Sequence, residues 1–230
     1  RYGGISLNKQ LLGVVDATAY FQDLAQLISH RSLSALPFGG KYRLIDFILS
    51  NMVNSGIESV AIFTNAPYCS LLDHVGSGEN WDLNRKRDGL FLFPVHGDDY
   101  QGIGTFDRFA VHIDFLLRSS QEYAVIANCY TIANIDFQKI LTHHLKSGCD
   151  ITEIRKDGLS LNMYVLKTSL LISLIETRKM ADYANMSEVI ADMNGPYRVG
   201  IYEYEEPAVM IDSIRSYYAV SMALLKKEMR

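Results

Sequence analysis

The chemistry on offer starts beside a glycine pair, where Lys41 and Arg43 flank Tyr42 directly after Gly39-Gly40. Two cations next to bare backbone suit an anion, because N–H groups and basic side chains converge on phosphate oxygens. A second grouping is Gly104-Thr105-Phe106-Asp107. There Thr105 suits a helix N-cap, while Asp107 either complements the helix dipole or touches a nucleotide. Asp16 closes an apolar run, as a turn former or as a carboxylate at a ligand edge. His30-Arg31 reads as a surface pair or as an anion contact, and His143-His144 lies in a polar, solvated helical segment. Glu203, Glu205 and Glu206 are interleaved with Tyr202 and Tyr204, which strand alternation explains more simply than metal coordination does. The three cysteines are odd in number and lack metal-like spacing, as expected of reduced thiols in a cytoplasmic protein.

These groups need a scaffold, and the apolar pattern supplies one. Leu11-Leu-Gly-Val-Val15, Ser59-Val-Ala-Ile-Phe63 and Tyr123-Ala-Val-Ile-Ala127 are short apolar runs that suit buried parallel strands. Residues 151–154 and 161–166 predict two more strands, with only Arg155-Lys-Asp-Gly-Leu159 and Ser160 between them. Helical spacing connects Ile45, Leu49, Met52 and Val53, with Gly56 at the left-handed C-cap. It also connects Phe106, Phe109, Ile113 and Leu116, whose aromatic character suits a core or a subunit interface. Further helices are predicted through Phe137–Leu145, through Leu170–Ile175 and from near Ser213 to Leu224. The alternation predicts an α/β fold, a Rossmann-like domain with a mixed, mainly parallel sheet flanked by helices. Ligands in that architecture sit beyond the carboxyl ends of the strands.

Of the 230 residues, 48% are apolar and 21% charged, and the net charge is -4. That is enough apolar material for one substantial core, and it offers no basic surface for nucleic acid. No apolar run approaches the roughly 18 residues of a bilayer span, so no membrane partner is expected.

Four blocks resemble the glucose-1-phosphate adenylyltransferases (ADP-glucose pyrophosphorylases). They are Pro37-Phe-Gly-Gly-Lys-Tyr-Arg-Leu-Ile-Asp46 with Asn54-Ser-Gly-Ile57, then Gly104-Thr-Phe-Asp107, then residues 122–137, then residues 213–225. The second is similar to the family's Gly-Thr-Ala-Asp-Ala signature, with Phe106 and Arg108 in place of its alanines. The resemblance implies a nucleotidyltransferase-like domain over residues 1–230. It also leads one to expect a C-terminal left-handed β-helix, whose short repeats do not occur in this sequence. On the matched positions it implies substrate contacts at Gly104, Thr105 and Asp107 and effector contacts at Lys41 and Arg43.

The family's reaction joins a nucleoside triphosphate to a sugar 1-phosphate, with dense negative charge neutralised by backbone N–H groups, basic side chains and Mg²⁺ on carboxylates. Here the family's Gly-Gly-x-Gly-x-Arg loop aligns with Thr18, Ala19 and Phe21 at its glycines and with Asp23 at its arginine. Tyr20 and Phe21 would then stand in the triphosphate's space. The lysine of a Lys-Pro-Ala element falls within Leu33-Ser34-Ala35, and the two metal-holding aspartates fall on Tyr130 and Met210. Neither a phenol nor a thioether holds Mg²⁺ against water. No residue is therefore assigned as catalytic and no cofactor is expected, Mg²⁺ only if the chain is active. The resemblance points to the regulatory, D-type subunit of glycogen biosynthesis. Its expected partners are a catalytic subunit, in a hetero- or homo-oligomer, and a sugar-phosphate or nucleotide effector. The alternatives are an active adenylyltransferase and a sensor that binds such ligands without reacting.

Overall fold

A computed structural model describes residues 10–76, 78–83, 88–95, 105–181 and 183–228. Its centre is a seven-stranded sheet in the order β10-β8-β9-β6-β1-β4-β5. The strands are β1 (Leu11–Ala17), β4 (Ser59–Thr64), β5 (Leu90–Pro94), β6 (Tyr123–Asn128), β8 (Ile151–Lys156), β9 (Leu159–Lys167) and β10 (Val199–Glu203). Only β9 runs against the rest, pairing antiparallel with β6 and β8. Every residue of β1, β4 and β6 is buried, as the unbroken apolar runs require of strands covered on both faces.

Alternate side chains of these strands feed two separate cores. On one face Leu11, Val15, Val60, Ile62 and Val125 pack against α1 (Leu44–Asn54), α2 (Cys69–Val75) and α5 (Phe137–Ser147). On the other, Leu12, Val14, Phe63 and Ile126 meet α3 (Phe106–Ala110), α4 (Ile113–Arg118), α6 (Thr168–Ala181) and α7 (Met186–Ala191). Gly13 permits α1 to lie close, since a Cβ there would come within 2.7 Å of the Met52 sulfur. Two small ribbons complete the domain: β2 (Pro37–Phe38) with β3 (Tyr42–Arg43), and β7 (Thr131–Ala133) with β11 (Ala208–Met210). The last helix is α8 (Ile214–Glu228).

The mixed, mainly parallel sheet agrees with the sequence reading, and two local expectations need correction. The helix predicted through Phe106 and Leu116 is two short helices, broken at Val111-His112. There the ring of His112 stacks on Phe93 at 4.6 Å and its Nε2 lies 3.2 Å from the Pro94 carbonyl, which a continuous helix would not allow. Between β8 and β9 the chain turns on two residues, Asp157 (φ 51°) and Gly158 (φ 78°). Positive φ at both positions is the geometry whose twist matches that of paired strands. Among the described residues no helix is long and apolar enough to cross a membrane.

Candidate nucleotide site

The carboxyl end of β1 is where this architecture places a ligand. Asp16, buried, accepts hydrogen bonds on Oδ1 from the Thr18 backbone N–H (3.0 Å) and hydroxyl (2.6 Å). The Thr18 hydroxyl in turn accepts from Arg108 Nη1 of α3, a guanidinium only 7% exposed. Guanidinium, hydroxyl and acid thus form a buried hydrogen-bonded chain beneath the strand end. Beyond it the backbone coils into a 3₁₀ turn, with Leu24 N–H bonded to the Phe21 carbonyl (2.9 Å) and Ala25 N–H to Gln22 (3.1 Å). Those two donors are satisfied within the turn and do not point at a common anion.

Tyr130 follows β6 and is buried. Buried Asn128 sets its position by accepting from the N–H groups of Tyr130 (3.1 Å) and Thr131 (2.9 Å) while donating to the Leu161 carbonyl (2.7 Å). Phe21 meets the Tyr130 ring edge-on, centroids 5.0 Å apart and planes at 88°. Met210 pairs with Thr131 across the β7–β11 ribbon, and Ile211 N–H donates to the Tyr130 carbonyl (2.8 Å). Ala19, Leu24, Leu33, Leu36, Phe38, Tyr130 and Ile211 form a third apolar cluster, with Phe21, Met210 and three residues of α8 packed against it.

The positions that the resemblance gives to the phosphate loop and to both metal carboxylates therefore do converge in space. They converge as an apolar cluster. Tyr130 and Met210 do not fit a divalent cation, which takes hard oxygen ligands, and among the described residues no three His, Cys, Asp or Glu side chains are grouped to hold a metal. Tyr20 turns aside, 45% exposed with its hydroxyl near Gln22, so of the two rings expected in the triphosphate's space only Phe21 packs inward. Asp23, at the aligned arginine position, accepts from the Ile214 N–H (2.8 Å) and so holds the start of α8.

The other expected contacts are engaged elsewhere. Arg43 donates from Nη1 to the Ser70 carbonyl and hydroxyl (2.7 Å to the latter), fixing it to α2. Its backbone N–H bonds Asp46 (2.9 Å), whose other oxygen lies 2.6 Å from His74 Nε2. Lys41 is exposed, its ammonium 5.0 Å from the Tyr42 ring centre. Thr105 is buried at the N-cap position of α3, although its side chain does not cap the helix. Asp107 pairs with Arg178 Nε of α6 at 2.5 Å. Gly104 lies outside the described residues. The Glu203, Glu205 and Glu206 run borders a polar cavity of about 620 Å³ at the end of β10, shared with Lys139 and His143. Sequence reasoning noted Arg108 as a replaced alanine without foreseeing that it would be buried against Thr18. The usable signal was a charged residue set between Phe106 and Phe109.

An open sheet, six strands parallel and one reversed, with helices on both faces, defines an α/β domain of the kind whose ligand sites lie beyond the strand carboxyl ends. The family model for nucleotidyl transferases matches residues 24–157, and the chain belongs to that family. It is 57% identical over 189 residues to the glycogen biosynthesis protein GlgD of Geobacillus stearothermophilus, covering 81% of this chain and 55% of that one. It is 47% identical over 222 residues to the GlgD of Bacillus subtilis, covering 95% and 64%. A glucose-1-phosphate adenylyltransferase of Clostridium novyi is 35% identical over 149 residues, covering 64% and 39%. The chain thus spans little more than half to just under two thirds of the GlgD proteins it matches. In fold it is similar to a crystal structure of a putative glucose-1-phosphate thymidylyltransferase from Bacillus anthracis. The TM-score is 0.71 at 10% identity, over 94% of this chain and 95% of that one.

Proposed function

We propose that this chain is the nucleotidyltransferase-like domain of a regulatory subunit in glycogen biosynthesis, and that it does not itself join ATP to glucose 1-phosphate. The observation carrying this reading is the meeting of Ala19, Phe21, Tyr130 and Met210 in one apolar cluster. In-line transfer between phosphates needs cations and open N–H groups where charge develops. An aromatic edge contact and a thioether offer neither. The similarity to two GlgD proteins supports the pathway, and the more distant similarity to an adenylyltransferase supports the kind of partner, a catalytic subunit of ADP-glucose pyrophosphorylase.

On this reading the chain acts through contacts that differ between two states of the partner. A phosphorylated effector at Lys41 and Arg43, or a ligand at Gly104, Thr105 and Asp107, must compete with the bonds that Arg43 and Asp107 already make. The test is Mg²⁺-dependent pyrophosphate release from ATP and glucose 1-phosphate, by the purified chain alone and with a catalytic homologue. No turnover alone, together with co-purification and altered effector response of the homologue, is the expected outcome. Turnover by the isolated chain at ordinary family rates would overturn it.

A further inference from the structure

At the amino ends of the parallel strands, the far end of the sheet from Asp16, a cavity of about 530 Å³ opens beside the carboxyl end of α5. The sheet contributes one row of residues to it. Lys167 pairs with Tyr123, and the register of β8 with β9 and of β10 with β8 carries the row on through Asp150 to Arg198. Side chains of one row share a face of the sheet, which brings both cations to the same side as Asp150.

His144, expected from the sequence to be solvated, lines this cavity although the residue is only 3% exposed. Its Nδ1 lies 2.8 Å from the hydroxyl of Thr152, which is fully buried. Among the described residues that hydroxyl has no second partner. Were Nδ1 the donor, the hydroxyl hydrogen would have no acceptor, a costly state for a buried group. The hydroxyl therefore donates to Nδ1, and the neutral ring carries its proton on Nε2. Nε2 bonds to no described residue. The enclosed, unpartnered side-chain atoms are the hydroxyls of Thr131 and Thr168, so the Nε2–H is open to the cavity. Burial lowers the ring's pKa, Asp150 opposes this, and His143 and Lys167 lower it further. Near neutral pH the cavity thus meets a donor there, not a charge.

The cations at the mouth are unequally committed. Arg198 Nε lies 3.6 Å from Asp150 Oδ2, an oxygen that also accepts the Arg198 backbone N–H at 2.8 Å. The exposed Lys167 ammonium forms no ion pair with a described residue. Asp150 is the one carboxylate on the lining, so two cations face a single acid that is already bonded.

We infer that this cavity binds a phosphate monoester, whose oxygens accept from His144 Nε2–H, Lys167 and Arg198. The three donors come from α5, from β9 and from the segment before β10. Donors reaching in from three elements suit a tetrahedral oxyanion better than a planar carboxylate. The volume is more than a lone oxyanion fills and lies within the roughly 300–1,000 Å³ of small-molecule sites. Leu170 and Tyr197 line the remainder, as walls for the organic body of the ester.

Long-range proton–nitrogen spectra of the histidine side chains in the isotope-labelled chain test this, with His144 assigned by its loss in His144→Gln. The free chain should show the Nε2–H tautomer. Inorganic phosphate, glycerol 3-phosphate and phenyl phosphate, titrated separately, should each shift the His144 signals saturably, the esters more tightly than inorganic phosphate. The better ester tells whether an aliphatic or an aromatic body is preferred. Lys167→Ala and Arg198→Ala should each raise Kd about tenfold, the loss of one charge-assisted bond, and Lys167→Arg should retain binding. The bound ester should also raise the titration midpoint of His144, because a neighbouring anion favours the imidazolium. An Nδ1–H tautomer, no saturable response, no preference over inorganic phosphate, or a response indifferent to both alanine substitutions would each overturn the inference. So would a response that Lys41→Ala abolishes, since the ligand would then sit at the Lys41 and Arg43 grouping.

Discussion

Replacing Tyr130 with aspartate restores, on paper, the carboxylate that the family resemblance places there. The structure says what that should do. The ring is buried, packs edge-on against Phe21 at 5.0 Å and belongs to a cluster completed by α8. Losing a buried aromatic ring costs about 3–5 kcal/mol, and the ring pair carries about 0.5–1.5 kcal/mol beyond its area. A carboxyl group left among Leu24, Phe38 and Ile211 adds a desolvation cost. Tyr130→Asp should therefore lose at least about 4 kcal/mol, a large share of the roughly 5–15 kcal/mol that holds a typical domain together. Tyr130→Phe is the control. It removes a hydroxyl that accepts from Asn162 Nδ2 at 3.3 Å and should cost about 1 kcal/mol. Urea unfolding of both variants, and of Tyr130→Asp with Met210→Asp, with and without millimolar Mg²⁺, reads the outcome. A metal site lacking only its ligands would bind the ion in the double variant, and saturation at a hundred times Kd would return about 2.7 kcal/mol. Such a gain, or a Tyr130→Asp loss under about 1 kcal/mol, would refute the view that this is an apolar cluster and not an emptied metal site.

Asp23→Ala should cost about 1 kcal/mol by freeing the Ile214 N–H at the start of α8, read as a lowered urea midpoint. Asp23→Arg should cost more, because it puts a cation at the positive end of a helix. Gly158→Ala should lose about 1 kcal/mol from its φ of +78° alone, since a Cβ there meets nothing within 4 Å. His144 is buried with Nδ1 2.8 Å from the Thr152 hydroxyl, and burial lowers its pKa below 6.5 against an opposing pull from Asp150. The unfolded chain then binds the proton more readily, so its contribution to stability is fully present above pH 6.5 and is lost progressively as pH falls below 6.5 through the lowered folded-state value. Thermal melts between pH 7.5 and 5 should show this slope flattened in His144→Gln.

Much of this was legible because burial writes itself into short apolar runs. Leu11–Val15, Val60–Phe63 and Tyr123–Ala127 each lie between two helical layers, and nothing polar interrupts them. The edge strand β5 left no comparable mark, since half-exposed Phe and Leu have no required neighbour in the sequence. The break at His112 was invisible because its cause, the Phe93 ring, is 19 residues away along the chain. At the site, the apolar character of Ala19, Phe21, Tyr130 and Met210 could be seen from residue types alone. What fills the space could not: Arg108 reaches Thr18 across 90 positions, and Tyr20 and Phe21 part company although they are adjacent.

The contact between Asp23 and Ile214 joins residues 191 positions apart, and Tyr217 to Pro37 (2.8 Å) and Ser221 to Gly39 (3.2 Å) run beside it. During synthesis, the patch around residues 19–38 must wait uncovered until nearly all of this domain has left the ribosome. A protease nick between β11 and α8 would unlatch both ends together. The strand-end patch is thus held shut by a clasp, and assembly order is where the loss of that clasp would first be felt.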